Sequence, residues 1–179
     1  MTRKAGDFTT ARGRGYRRAG SSSPDFEPCP ELHEVVRYWS GKRGAEPLPS
    51  RRDFDPLLEV PHLVSNFLLI DVRGDAPRYL VRLQGVKVVA ALEIDLTGKC
   101  LDELVPDHFD AVALEHLQRV VGTRAPQLFQ GDLSWWGRGH VEFDAGLFPL
   151  SSDGNQVDMV LGAVFFRTHR AGRRRSAPW

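Results

Sequence analysis

Cysteine is scarce in this chain, and long apolar runs are missing. Among its 179 residues there are two cysteines, Cys29 and Cys100, and neither belongs to a CxxC pair. This usage favours a reducing, cytoplasmic setting. No apolar run approaches the roughly 18 residues that a membrane-spanning helix needs, and the basic N-terminus is not followed by the apolar segment of a secretory signal. We therefore predict a cytoplasmic protein without a membrane span.

Motifs for catalysis and metal binding are missing as well. The six histidines are scattered, without HxxxH or HExxH spacing, so no metal site is predicted. There is no GxSxG elbow for a nucleophilic serine. Asp102, Glu103 and Asp107 stand at the starts of turns and helices, where capping and the helix dipole explain them. The sequence therefore predicts no catalytic residue and no enzymatic activity.

Charge is distributed unevenly, although the net charge is only +1. Basic side chains are in excess in residues 1–28 and 169–179, and acidic ones in the stretch between them. Basic ends can contact nucleic acid, but neither end carries aromatics at a stacking spacing, so nucleic acid is not predicted as a partner. Residues 1–28 are poor in apolar side chains and are predicted to be disordered. Residues 29–168 are then a single domain between two basic tails.

The predicted domain begins with an amphipathic helix over residues 30–41. Pro30 suits its first position and Gly41 its end. A helix of this length is not stable alone in water, so its apolar stripe must pack against the outer sheet face of the same chain or against a second copy. We predict a homodimer. The interface candidates are the stripe residues Leu32, Val35, Val36 and Trp39, and the pair Trp135 and Trp136, whose side chains should point to opposite sides of a strand.

Five strands and one long helix are predicted after this helix. The long helix covers residues 107–121, and Gly122 ends it. The last strand is apolar on both faces in its second half, as expected of a central strand. The element order predicts an α+β fold, in which a five-stranded antiparallel sheet has helices packed on one face, with the N-terminal helix added. The strands are predicted at residues 66–72, 78–84, 127–136, 141–150 and 157–168.

Several segments stand out in order along the chain: LPSRRDFDP with VPHLVSNFLLIDV, RYLVRLQG, DLTGKCLDEL and PLSSDGNQVDMVLGAVF. Together they resemble the PAS domain family, and within it the short, single-domain bacterial PAS-like proteins. The resemblance implies a five-stranded sheet, a helix-lined cavity, and dimerisation through an N-terminal helix or the sheet face. It implies no catalysis and no settled ligand. Relatives often carry a glycine just before the DLTG segment, where this chain has Glu93.

The resemblance directs attention to the buried stripe of the long helix. In haem-binding PAS sensors a histidine on this helix is often the ligand, and His116 lies on the stripe. The alternative, which we favour, is a histidine of the core or the cavity wall that is hydrogen-bonded within the protein. The flavin-binding cysteine motif of light-sensing relatives is absent, and Cys100 is better explained as a small buried apolar residue. No cofactor is assigned. The cavity candidates are His116, Val112, Ala113, Phe109 and Val120.

Three functions remain open from the sequence. The first is a sensory or regulatory module that binds a small molecule or a protein and signals through a partner, without catalysis. The second is an interaction or dimerisation scaffold with a filled core and no ligand. The third is a small-molecule enzyme on a cone-shaped α+β fold, which would need a buried acid–base pair that faces a large cavity.

Overall fold

The structure, a computed structural model, describes residues 17–18, 27–44, 46–75, 78–104, 111–134 and 137–168. The helices are α1 (Pro30–Lys42), α2 (Pro56–Glu59), α3 (Val86–Leu92), α4 (Leu101–Leu104) and α5 (Ala111–Thr123), with single 3-10 turns at Arg51–Asp53 and Val64–Asn66. The strands are β1 (Arg17–Arg18), β2 (Phe67–Val72), β3 (Tyr79–Gln84), β4 (Gln127–Leu133), β5 (Arg138–Leu150) and β6 (Met159–Thr168). No helix in these ranges is both long and apolar enough to cross a bilayer.

All strand pairs in the sheet are antiparallel, in the order β1-β4-β5-β6-β2-β3. The five predicted strands, β2 to β6, are all present, so the predicted α+β fold is confirmed. The longest pair joins β5 to β6, from Leu150 opposite Met159 to Val141 opposite Thr168. Because β6 also pairs with β2 on its other edge, it lies at the centre of the sheet, as its two apolar faces indicated.

The two-residue strand β1 lies inside the segment that the sequence predicted to be disordered. Arg17 pairs with Gln130, and Arg18 pairs with Phe129, along the outer edge of β4. Apolar content did not indicate this pairing, because main-chain hydrogen bonds to a sheet edge need no apolar side chain. The remaining residues of this tail before Glu27 lie outside the described residues, so their predicted disorder stays a prediction.

One face of the sheet, which we call the inner face, carries α3, α4 and α5. Its core joins strand residues such as Ile70, Val81 and Phe143 to helix residues such as Val88 and Leu117, all of them buried. The predicted long helix is seen here from Ala111 to Thr123, and its predicted first turns, with Phe109, lie outside the described residues. The helices thus pack on one face, as the sequence predicted.

The opposite, outer face of the sheet is covered by α1 of the same chain. Leu32 and Val35 are 0% exposed and Trp39 is 5% exposed, in one cluster with sheet residues such as Phe148 and Leu161. The Trp39 indole Nε1 donates a hydrogen bond of 3.0 Å to the carbonyl oxygen of Pro149. The sequence left two possible partners for this stripe, the sheet of the same chain and a second copy. In the structure the stripe packs against the sheet of the same chain.

The position of α1 on the sheet limits which of the predicted interface residues a second copy could contact. Because Leu32, Val35 and Trp39 are buried inside the monomer, they offer no surface to a second copy in this arrangement. Val36 is only partly buried at the rim of the same cluster. Trp135 and Trp136 lie outside the described residues, so their predicted role is still a prediction.

Two helix ends show how single residues set the boundaries of the helices. Asp55 caps α2, and its Oδ1 accepts the Leu58 amide proton at 3.4 Å. Glu93 ends α3 with φ of 56°, in the left-handed region. This backbone favours glycine, which accounts physically for the glycine that relatives often have there.

Gly146 on β5 allows α1 to approach the sheet, and this close approach predicts a cost for any side chain. A Cβ on Gly146 would lie 2.6 Å from Phe148 Cε2 and 2.9 Å from Leu32 Cδ1. We expect Gly146→Ala to lower the free energy of unfolding by about 1–2 kcal/mol, because both neighbours are fully buried and overpacking costs energy. Gly162→Ala is the matched control, since its Cβ would meet no atom closer than 3.4 Å. Urea denaturation measures both, and equal losses would contradict the close approach.

Candidate ligand cavity and polar groove

A small cavity lies between the inner sheet face and helices α3 to α5. Its volume is about 100 Å³. The side chains around it are aliphatic or aromatic, so a bound molecule would find shape and dispersion contacts rather than side-chain hydrogen bonds. The described lining residues are Leu68, Ile70, Val88, Leu92, Leu96, Leu101, Ala113, Leu117, Phe129, Leu133, Phe143, Ala145, Leu147, Gly162, Val164 and Phe166.

The size of this cavity limits what can enter it. Pockets for drug-sized ligands measure about 300–1,000 Å³. A dry apolar cavity of about 150 Å³, engineered in another protein, takes benzene or xenon. At about 100 Å³ the present cavity is closer in size to the benzene-binding cavity. Its size and apolar lining suit an apolar molecule of few heavy atoms and not a flavin or a haem.

The cavity candidates from the sequence divide into three groups. Ala113 lines the cavity. His116, Val112 and Val120 are not among its lining residues; Val120 is fully buried in the core, and Val112 is half-buried. Phe109 lies outside the described residues. Of the candidates that the structure describes, Ala113 is the one placed at this cavity, and a ligand-binding role for any of the five stays a prediction.

His116 lies beside the cavity rather than on its wall. The side chain is 7% exposed, and its ring stacks on Phe129 with centroids 4.0 Å apart and planes 5° from parallel. Phe129 itself lines the cavity. The imidazole thus supports the position of a wall residue, and the cavity of about 100 Å³ beside it is too small for a haem.

Most of the cavity wall was missed because it comes from strands. Inward-facing residues alternate along β5 and β6, with Phe143, Ala145 and Leu147 on the first and with Val164 and Phe166 on the second. The two-residue period of a strand places such residues on one face. The alternation was visible in the sequence, and it would have indicated these positions once the helix-bearing face was known.

A second concavity, the polar groove, opens at the C-terminal end of β6. It has a volume of about 1120 Å³. Its walls come from the segment that leads into α1, from α1 itself, from the turn before β2, from α3 and from the end of β6. The described lining residues are Glu27, Pro28, Cys29, Pro30, Glu31, His33, Arg37, His62, Leu63, Asn66, Lys87, Ala90, Phe165, Phe166 and Arg167.

A buried carboxylate fixes one wall of the polar groove. Asp144 is 0% exposed; its Oδ2 accepts the Cys29 amide proton at 2.8 Å, and its Oδ1 accepts a hydrogen bond from Arg167 Nη2 at 2.6 Å. Asp144 thus joins the start of α1 to the sheet. Burial raises the pKa of the Cys29 thiol to about 11, so this thiol is protonated at neutral pH and is a weak nucleophile.

Neither concavity assembles a recognisable reaction centre from the described residues. Within these residues no three His, Cys, Asp or Glu side chains are grouped as a metal ion would require. Burial also raises the pKa of the Cys100 thiol. The chemistry available is therefore apolar binding in the cavity, and polar or main-chain binding in the groove.

Comparison with known proteins agrees with this architecture. A search of curated proteins gave no match to the chain. A family model described as "PAS domain" matches residues 29–165. The match runs from the residue before α1 almost to the end of β6, so it includes both faces of the sheet and most of the lining of the two concavities. The chain belongs to the PAS domain family, whose members are in general sensory or regulatory modules.

Proposed function

We propose that this protein is a non-catalytic regulatory PAS module that binds a small apolar molecule in its interior cavity and signals through a partner protein. The observation that carries the proposal is the apolar lining of the cavity, which lies between the sheet and the helices α3, α4 and α5. A molecule that fills this space gains dispersion contacts that the empty cavity lacks. Ligand entry would therefore favour the conformation in which the helices are packed onto the sheet.

A ligand can shift a conformational equilibrium only by its difference in affinity for the two states. In this molecule the cavity exists because α3, α4 and α5 rest on the inner face, so a state with displaced helices would lack the site. Occupancy of the cavity is thus linked to the position of these helices, and a partner that contacts them would respond to it.

The second candidate is a scaffold without a ligand. The small volume of the cavity favours it, because about 100 Å³ is below the range of ordinary ligand sites. The homodimer predicted from the sequence also remains a prediction. In the present arrangement a dimer would have to use a surface other than the buried side chains of Leu32, Val35 and Trp39.

Benzene binding tests the proposed ligand site. We expect saturable NMR shifts of the methyl groups of Leu117, Leu147 and Val164 as benzene is added, because these groups line the cavity. Ala113→Leu should weaken the binding at least about tenfold. The larger side chain would occupy space that benzene needs, and a cavity of about 100 Å³ has little to spare. Ala90→Leu, on the exposed side of α3, is the matched control and should leave the affinity unchanged.

A further variant separates two roles of His116. If His116 only supports Phe129, His116→Leu should lower the stability and leave the benzene affinity unchanged; if it contacts the ligand, the affinity should fall. The proposal is contradicted if benzene produces no saturable shifts in the folded protein. It is equally contradicted if Ala113→Leu binds benzene as well as the wild type does, and the scaffold would then be the better interpretation.

A further inference from the structure

Strand β6 extends further than its neighbour β2 on one side. Its pairing with β5 continues to Val141 opposite Thr168. Its pairing with β2 stops at Phe67 opposite Ala163, and the chain before Phe67 turns away as the 3-10 turn Val64–Asn66. The last residues of β6 are therefore paired on one edge and open on the other.

A hydrogen bond from Asn66 shows which way the main-chain groups at the end of β6 point. Asn66 Nδ2 donates a hydrogen bond of 2.9 Å to the carbonyl oxygen of Val164, so this carbonyl faces the β2 side. Main-chain groups of every second residue in a strand point the same way. The N–H and C=O of Phe166 consequently face the β2 side as well, where β2 has ended and the polar groove begins.

The groove has room for an extended chain, since its volume is about 1120 Å³. Phe165, Phe166 and Arg167 form its floor, while α1 and α3 supply its two side walls. An added strand would lie about 4.8 Å from β6 and direct alternate side chains to the two walls. Asn66 already occupies the place of such a strand at Val164, and its side chain substitutes for one main-chain donor.

The walls also indicate the chemistry of the chain that binds. Arg37 on α1 and Lys87 on α3 line the groove, and neither forms an ion pair with any residue that the structure describes. Arg167 is already paired with Asp144. Glu27 and Glu31 line the groove near the start of α1. Carboxylates of a bound segment are therefore expected at Arg37 and Lys87 and not along the whole groove.

We propose that the polar groove binds an extended, acidic segment of a partner protein by strand addition to the open edge of β6 at Phe166. Main-chain hydrogen bonds would supply the affinity and the two cationic side chains the preference for acidic sequences. The inference rests on the proposed function only for the existence of a partner. It also suggests a route of communication, because the side chain of Phe166 lines the interior cavity too.

Amide hydrogen exchange in the full chain tests the open edge. In the free protein the Phe166 amide should exchange at least about tenfold faster than the Phe165 amide, which faces β5 in the ladder. The probe is an eight-residue peptide of alternating valine and glutamate. Its addition should slow exchange at Phe166 about tenfold and saturably. The same peptide with alternate amides methylated cannot form the ladder and should not protect Phe166.

A charge reversal on α3 tests one wall of the groove. Lys87→Glu should weaken binding of the acidic peptide about fivefold, because an exposed attraction becomes a repulsion. Lys99→Glu, on an exposed loop outside the groove, is the matched control and should have no effect.

Several results would overturn the inference. A Phe166 amide that is already protected in the free chain would mean that the edge is covered, by a second copy if protection rises with concentration and by the same chain if it does not. Failure of the acidic peptide to protect Phe166, or equal binding by the methylated peptide, would exclude strand addition. The benzene titration is independent of these results, so the groove and the cavity can each fail alone.

Discussion

Trp39→Ala should lower the free energy of unfolding by about 3–5 kcal/mol, the range for removing a large aromatic side chain from a core. Trp39 is 5% exposed and packs 6.1 Å, centroid to centroid, from Phe148. The substitution also removes the donor to the Pro149 carbonyl, which leaves a buried acceptor unsatisfied. Equilibrium denaturation in urea measures the loss.

The matched control is Leu58→Ala, a large-to-small change on the short helix α2 at a side chain that is 80% exposed. It should change stability by less than about 0.5 kcal/mol. The alternative inferred from sequence, in which the α1 stripe holds two copies together, makes the opposite prediction. In that case Trp39→Ala would change the sedimentation coefficient at tens of micromolar protein and leave the stability of the monomer nearly unchanged.

Asp144→Ala is expected to cost about 2–3 kcal/mol, because it removes a buried charge that accepts two hydrogen bonds. The Cys29 amide would lose its acceptor at the start of α1. Arg167 would lose its counter-ion, but its side chain is 51% exposed and water can solvate it. This exposure is why we expect less than the full cost of breaking a buried ion pair.

Asp71→Ala provides the comparison for Asp144→Ala. Asp71 also pairs with an arginine, Arg82, at 2.8 Å, but the Arg82 side chain is 60% exposed, and among the described residues no main-chain amide donates to this carboxylate. Its loss should cost about 0–1 kcal/mol, as for surface pairs. Thermal unfolding of both variants would measure the difference, and equal losses would show that Asp144 does not anchor α1 to the sheet.

The sequence predicted the strands and helices well because their signals are local. The second half of the last predicted strand is apolar on both faces, and this predicted that β6 is a central strand. The proline and glycine at the ends of α1 predicted its extent. These features depend on a few adjacent residues, and the described helices and strands agree with them.

The parts that the sequence did not predict depend on tertiary contacts. His116 has the periodicity of a buried position, but periodicity does not say whether the side chain meets a cavity or a ring such as that of Phe129. The helix α1 was left with two possible partners, because a stripe shows only that it must be buried. The open edge at Phe166 follows from where β2 ends, and this requires the register of three strands.

The pairing of Arg17 and Arg18 with β4 was missed for a different reason. Prediction of disorder rests on the lack of apolar side chains that could be buried. A strand edge offers main-chain hydrogen bonds to any segment that reaches it, whatever its composition. Composition alone therefore underestimates short additions to a sheet.

A crystal structure determined under xenon pressure would test the interior ligand site most directly. We expect one xenon atom between the inner sheet face and α5, in contact with Leu117, Phe129 and Phe143, and none in the same place in crystals of Ala113→Leu. Xenon is the appropriate probe because it binds dry apolar cavities of about this size without needing hydrogen bonds. A wild-type structure in which the space is filled by rearranged side chains, or in which xenon binds only elsewhere, would contradict a ligand-binding PAS module.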